Sequence, residues 1–99
     1  MIFLNFPSLS DLRGQIDEID EKIIDLFQKR MDVSTEIARY KRRHNLPVYD
    51  PVREGEILVE ISHKTKESYK SDIHALYSLL FELSRAQQER VLNQEVTRC

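Results

Sequence analysis

Two basic residues interrupt an otherwise apolar helical pattern in the first half of the chain. The pattern advances in alternating steps of four and three residues, which is the spacing of a helix that packs along one face. We call these positions the seam: Leu12, Ile16, Ile19, Ile23, Leu26, Arg30, Val33, Ile37 and Tyr40. Arg30 thus stands at a core-like position, and Lys41 follows on the same side of the helix. Because a cation in an apolar seam is costly unless an anion meets it, the pattern predicts a site for a small, multiply charged anion.

A second pair of polar residues occupies core-like positions near the end of the chain. Ser84 and Gln88 are four residues apart and continue the apolar stripe of Ile73, Tyr77 and Leu80. Buried hydrogen-bonding groups need partners, and this pair alone is explained by bonds to each other or to neighbouring backbone. Taken with Arg30 and Lys41, the pair indicates a polar site inside a helical bundle.

Further charged residues surround the predicted connection between the first two helices. Asp50 is an N-cap candidate before Pro51, and Glu54 lies in the first helical turn, where a negative charge is favoured. Arg53 is unfavourable there unless it faces an anion or pairs with Glu54 or Asp50. The helix preceding this connection ends in a run of cations, of which we interpret all except Lys41 as a solvated helix end: Arg39, Lys41, Arg42 and Arg43. The three histidines have no ligand-like companions, so we interpret them as surface residues and expect no metal site.

The helical pattern and the scarcity of helix breakers predict an all-α fold with three helices. Only two glycines and three prolines occur in 99 residues. The first helix is expected from the Ser8 or Ser10 cap to about His44, and Ser8 with Asp11 has the spacing of a capping box. The second helix follows the Asp50 cap and ends near Lys64, and a polar loop leads to Lys70. Ser71 with Asp72 starts the third helix, which is expected to fray after about Gln94. The chain is expected to be a single domain over residues 1–99, with its core in residues 10–92.

The length of the first helix predicts a homodimer. Some 30 residues make a rod of roughly 45–50 Å, whereas a globule of this size has a radius of gyration of about 13 Å. A second copy is the simplest cover for the overhanging apolar seam. Arg13 lies 17 residues before Arg30, or about 26 Å, so it reaches the same ligand only from the partner chain of an antiparallel pair whose twofold axis passes near residue 24. Such a dimer has two equal sites, each built from both chains.

Composition excludes several kinds of partner. The net charge of −2 gives no general attraction to nucleic acid or anionic membranes, and no segment is long enough to span a bilayer. The apolar start is short and lacks a basic leader, and the single cysteine, Cys99, permits no internal disulfide. We therefore expect a cytoplasmic protein.

Several segments together resemble the all-helical chorismate mutases of aromatic amino-acid biosynthesis. The resemblance covers roughly residues 10–92 and depends on segments that occur in order: Leu12-Arg13, Ile16 to Asp20, Arg30, Ala38 to Lys41, Val48 to Glu54, and Ser84 to Gln88. It implies an intertwined antiparallel homodimer of three-helix chains, with no cofactor. It also implies the rearrangement of chorismate, a dicarboxylate, to prephenate.

The resemblance also implies a role for each polar residue. Arg30 and Arg13 of the partner chain bind the substrate carboxylates, and Lys41 and Gln88 donate to the ether oxygen of the breaking bond. Glu54 and the Asp50 backbone hold the ring hydroxyl, and Arg53 and Ser84 complete the polar lining. Phe81 and Arg85 depart from the pattern, because smaller aliphatic residues stand there in some members of the family. The outer wall of the site is therefore expected to differ.

Two other functions fit parts of the sequence. A related isochorismate-pyruvate lyase shares the fold and the set of arginine, lysine and glutamine residues, but that branch generally lacks the acidic pair of the segment from Asp50 to Glu54. A non-enzymatic helical interaction module explains the seam, but it leaves Arg30, Lys41, Ser84 and Gln88 unexplained together. The absence of a nucleophile–base pair agrees with a rearrangement within one molecule, which needs a fixed conformer and well-placed donors.

Overall fold

The computed structural model describes residues 6–97, which form three α-helices and one short 3₁₀ turn: α1 (Leu9–Arg43), α2 (Pro51–Lys64), the turn (Glu67–Tyr69) and α3 (Lys70–Thr97). The prediction of an all-α chain with three helices is confirmed, and no strand occurs in these residues. The segment predicted as a loop between Lys64 and Lys70 contains the 3₁₀ turn, and α3 begins slightly earlier and ends later than expected. The apolar start at residues 1–4 and Cys99 lie outside the described residues.

Local hydrogen bonds explain both ends of α1. The Ser8 amide donates to the Asp11 carboxylate at 3.2 Å, and the Asp11 amide donates to the Ser8 hydroxyl at 3.1 Å, which confirms the capping box. At the other end Asn45 has φ 56°, and the amides of Leu46 and Asn45 donate to the carbonyls of Lys41 and Arg42 at 2.8 and 3.2 Å. This pair of bonds is a Schellman motif, in which asparagine tolerates the left-handed conformation that stops the helix.

The start of α2 also follows from its local sequence. The Asp50 side chain accepts a 3.0 Å hydrogen bond from the Arg53 amide, and Pro51 occupies the first helical position. Proline has no amide hydrogen, which is no loss in the first turn, where the amides have no partner within the helix. The predicted N-cap at Asp50 and the end of α2 at Lys64 are therefore confirmed.

Ion pairs connect the end of α1 to the end of α3. Arg39 donates to Glu95 at 2.7 Å, and Arg42 forms a second ion pair with the same carboxylate. These two arginines, interpreted as part of a solvated helix end, are 38% and 43% exposed, and the ion pairs to Glu95 were not predicted. The Arg39 hydrogen bond is the largest influence that lowers the pKa of Glu95. The same contacts explain why α3 stays helical past Gln94.

The chain divides into two compact units between Arg30 and Met31. In the first unit the apolar seam residues are exposed, with exposed fractions from 44% at Leu12 to 62% at Leu26. In the second unit the second half of α1 and α3 run in the same direction, because Thr35 contacts Gln87 and, further along both helices, Arg39 contacts Glu95. None of the described helices combines the length and apolarity needed to cross a membrane.

Candidate active site

The interior of the second unit contains an unusual share of polar side chains. Of the residues that the structure describes, five are buried, and three of these are polar: Ala38, Phe81, Ser34, Ser84 and Gln88. Polar groups are normally placed in a protein interior only when hydrogen bonds or a function compensate for the lost hydration. The buried layer therefore marks the candidate site, and it contains two of the predicted site residues, Ser84 and Gln88.

Gln88 is held by a hydrogen bond between two helices. Its Nε2 atom donates to the Ser34 hydroxyl on α1 at 2.8 Å. The explanation by bonds to Ser84 or to neighbouring backbone is therefore wrong for this side chain. Gln88 Oε1 is buried without a hydrogen-bond partner, which is a destabilising arrangement that a functional role would explain.

Lys41 lies in the last turn of α1, where it holds the connection to α2. Its Nζ atom donates to the Val48 carbonyl at 2.8 Å, while its own carbonyl accepts from the Leu46 amide in the Schellman motif. An ammonium group has three donors, and the Val48 carbonyl accepts one of them. The half-buried Lys41 side chain is thus positioned by the connection that follows α1.

Glu54 is engaged by a cation on α3. Arg85 Nη1 lies 2.5 Å from Glu54 Oε2, and the Arg85 guanidinium carbon lies 5.0 Å from the centroid of the Tyr49 ring. The hydrogen bond to Glu54 raises the pKa of Arg85. Arg53 was predicted to face an anion or to pair with Glu54 or Asp50, but its guanidinium lies 3.4 Å from Glu56 Oε2. The guanidinium therefore pairs with Glu56 and not with Glu54 or Asp50, and Asp50 accepts from the Arg53 amide. That Arg53 faces a bound anion stays a prediction.

The remaining predicted cations belong to the first unit. Arg30 is half-buried at the end of that unit, and Arg13 is exposed near the start of α1. The structure brings together the partners within the second unit, namely Gln88 with Ser34, Lys41 with Val48, and Glu54 with Arg85. The convergence of Arg30, Lys41 and Arg13 of a partner chain stays a prediction.

Two contacts of the site were missed at the level of sequence. Ser34 stands four residues after Arg30 on the seam side of α1. A small polar side chain at this helical position near Lys41 could have been recognised from the sequence as a member of the site. Tyr49 gave no such signal, because its contact with Arg85 depends on how the connection and α3 come together. Of the two residues that depart from the family pattern, Phe81 is buried edge-to-face against Tyr77, and Arg85 is ion-paired with Glu54. The altered outer wall stays a prediction.

A second concave region lies apart from the buried polar layer. A shallow hollow of about 330 Å³ between α2 and α3 is lined by apolar, hydroxyl and imidazole groups: Leu58, Val59, Ser62, His63 and His74. None of the predicted site residues lines it. Within residues 6–97, no group of three or more histidine, cysteine, aspartate or glutamate side chains is arranged to hold a metal ion.

Comparison with known proteins agrees with this combination of helices and polar groups. The sequence model of the family described as chorismate mutase type II matches residues 12–89. A chorismate mutase of Methanocaldococcus jannaschii is 31% identical over 88 residues, which cover 87% of this chain and 89% of that protein. The chain belongs to the type II chorismate mutase family, and the predicted resemblance is confirmed. Since this is a family of isomerases, the prediction of an enzyme is confirmed at the level of the family.

Other relatives differ in length or in name. The T-protein of Haemophilus influenzae is 35% identical over 68 residues, which are 69% of this chain but 17% of that protein. This chain therefore spans about a sixth of the length of that relative. A protein of Streptomyces venezuelae named 4-amino-4-deoxychorismate mutase is 40% identical over 45 residues, covering 46% of this chain and 44% of its own length.

Proposed function

We propose that this protein is a chorismate mutase, which converts chorismate to prephenate. In this rearrangement the ether C–O bond breaks and a C–C bond forms within the same molecule, so the atoms balance without a second reactant. The observation that carries the proposal is the buried amide of Gln88, bound to Ser34 and left with an unpaired oxygen in the interior of a family member.

The amide of Gln88 suits the role of a donor to the ether oxygen. A half-turn about its last torsion exchanges Nε2 and Oε1, after which the Ser34 hydroxyl donates to the oxygen and the amide nitrogen takes the unpaired position. A donor held in a site without water stabilises the negative charge that the ether oxygen gains as its bond stretches. Ser34 then fixes the amide in either orientation.

Lys41 is proposed as the second donor to the same oxygen. Its bond to the Val48 carbonyl fixes the ammonium and leaves two N–H directions for a ligand. A fixed donor needs little reorganisation during the reaction, which is the main advantage of a preorganised site over water.

The remaining groups are proposed to fix the folded conformer of the substrate. Arg30 and Arg13 of the partner chain pair with the two carboxylates, since a guanidinium forms two parallel hydrogen bonds to a carboxylate. Glu54 and the Asp50 backbone accept and position the ring hydroxyl. Arg53 and the buried Ser84 complete the polar lining.

The shared site requires a homodimer, which we propose forms along the exposed seam. The apolar seam residues from Leu12 to Leu26 are each at least 44% exposed in a single chain. Contiguous apolar surface on a helix is favoured to associate, and an antiparallel pair with its axis near residue 24 covers the same face of both copies.

The deciding experiment is a direct assay of the purified chain with chorismate. We expect prephenate to accumulate at a rate far above that of a solution without protein. The same preparation is then given isochorismate, and release of pyruvate without formation of prephenate from chorismate would overturn the mutase in favour of the lyase. If the protein acts on neither compound, and a dicarboxylate transition-state mimic leaves its melting temperature unchanged, the interaction module is favoured.

A further inference from the structure

Arg85 adds a positive charge beside Glu54, the acidic group of the proposed site. Its guanidinium is bound at 2.5 Å to the Glu54 carboxylate and lies 5.0 Å from the Tyr49 ring centroid. The two charged side chains are only 32% and 22% exposed, so water screens their interaction less than at an open surface. Arg85 is thus held on two sides and directed at the acidic group of the site.

The ion pair determines what Glu54 can bind. A carboxylate has about four acceptor positions, so Glu54 can accept a hydrogen bond from a neutral hydroxyl while Arg85 is in place. An ammonium group gains most from a carboxylate whose charge is not already neutralised. A substrate ammonium bound beside this pair would also lie close to the positive guanidinium of Arg85, and the two like charges would repel each other.

We infer that Arg85 makes the site select a ring hydroxyl over a ring ammonium at the position that Glu54 contacts. The inference deepens the proposed function and rests on it. Arg85 acts through Glu54 and does not touch the reacting atoms, so it is a positioning and specificity residue. An unpaired Glu54 would accept both kinds of substituent.

The test compares chorismate with the analogue in which an amine, protonated at neutral pH, replaces the ring hydroxyl. The ratio of the two kcat/KM values is measured for the wild-type dimer and for Arg85→Met, Arg85→Lys and Arg90→Met. Arg90 is an exposed cation of α3 outside the site, so Arg90→Met removes the same charge from the same helix without freeing Glu54. Arg85→Lys restores a cation beside Glu54.

We expect the wild-type protein to prefer chorismate, and Arg85→Met to lower that preference by about tenfold or more, as one partly screened charge at contact distance predicts. Arg85→Lys and Arg90→Met should keep the wild-type ratio. Should Arg85→Met fail to fold, Arg85→Gln replaces it. The inference then requires that the wild-type protein prefers chorismate over the amine and that Arg85→Gln loses this preference.

Three results would overturn the inference. If Arg85 binds a substrate carboxylate or only blocks entry, Arg85→Met changes both kcat/KM values by the same factor, and the unchanged ratio overturns the inference while the mutase proposal stands. A wild-type protein that prefers the amine also overturns it. If the wild-type protein converts neither compound, the proposed function fails, and this inference fails with it.

Discussion

The Gln88 amide on α3 donates a 2.8 Å hydrogen bond to the Ser34 hydroxyl on α1, and both side chains are buried. The two residues are separated by 54 positions in the chain, so the bond fixes the amide in a defined place between two helices. The partner oxygen of the same amide stays unpaired. The arrangement combines a structural contact with an unsatisfied group, and the two parts can be separated by mutation.

Gln88→Ala is expected to lower kcat by about 10²–10³-fold, because it removes a donor to the developing charge. Ser34→Ala is the matched control, since it removes the same hydrogen bond but keeps the amide. Each variant leaves one buried partner unpaired, so each should lose about 1–3 kcal/mol of unfolding free energy. Urea unfolding and initial rates measure the two effects, and equal losses of activity in both variants would reduce Gln88 to a structural role.

Lys41→Met is expected to lower kcat by about 10²–10³-fold with a smaller effect on folding. Methionine keeps much of the apolar stem of lysine and removes the ammonium that donates to Val48 and, as proposed, to the substrate. Arg43→Met serves as the control, because Arg43 is an exposed cation in the same last turn of α1. Circular dichroism checks the fold, and wild-type turnover in Lys41→Met would contradict the role of this residue.

Glu95 should make the stability of the chain depend on pH. Its hydrogen bonds to Arg39 and Arg42 hold its pKa in the folded state below the ordinary value of 4.5. A group with a lowered pKa stabilises the fold above its unfolded-state pKa, and this contribution is lost as the pH falls through the folded-state pKa. Glu95→Gln should therefore melt at a lower temperature than wild type near pH 7, and the difference should vanish in acid below the folded-state pKa.

Glu89→Gln is the control for this titration, since Glu89 is an exposed carboxylate on the same helix. Melting curves of the three proteins from pH 7 into acid separate the ion pairs from general charge effects. A gap between Glu95→Gln and wild type that persists unchanged in acid would show that the ion pairs do not cause it.

The helix ends were predictable from sequence because their causes are local. The Ser8–Asp11 box and the Asp50 cap each join residues three positions apart, so the residue types alone determine the contacts. The pairs Arg85–Glu54 and Arg39–Glu95 span 31 and 56 residues and depend on how the helices assemble, which no local pattern encodes. For this reason the ion pairs of Arg39 and Arg42 with Glu95 were not predicted, and neither was the contact of Arg53 with Glu56.

The same distinction applies to the site. The helical period made Arg30, in the seam, and Lys41, on the same side, candidate site residues, and the four-residue spacing did the same for Ser84 and Gln88. The hydrogen-bond partner of Gln88, which is Ser34, and that of Lys41, which is the Val48 carbonyl, followed only from the tertiary structure. Their roles toward a substrate come from the family resemblance.

Mixing two inactive variants tests whether each site is built from both chains. In a heterodimer of Arg13→Ala and Lys41→Ala chains, one site carries both substitutions and the other carries neither, because Arg13 is proposed to come from the partner of the chain that supplies Lys41. Random exchange of equal amounts makes half of the dimers mixed, so activity should recover to about a quarter of the wild-type value. Rates are measured after co-refolding, with the heterodimer fraction verified by two different affinity tags. Verified heterodimers that stay inactive would refute the shared site. As a negative control, the double variant Arg13→Ala/Lys41→Ala is mixed with either single variant, and no activity should be recovered.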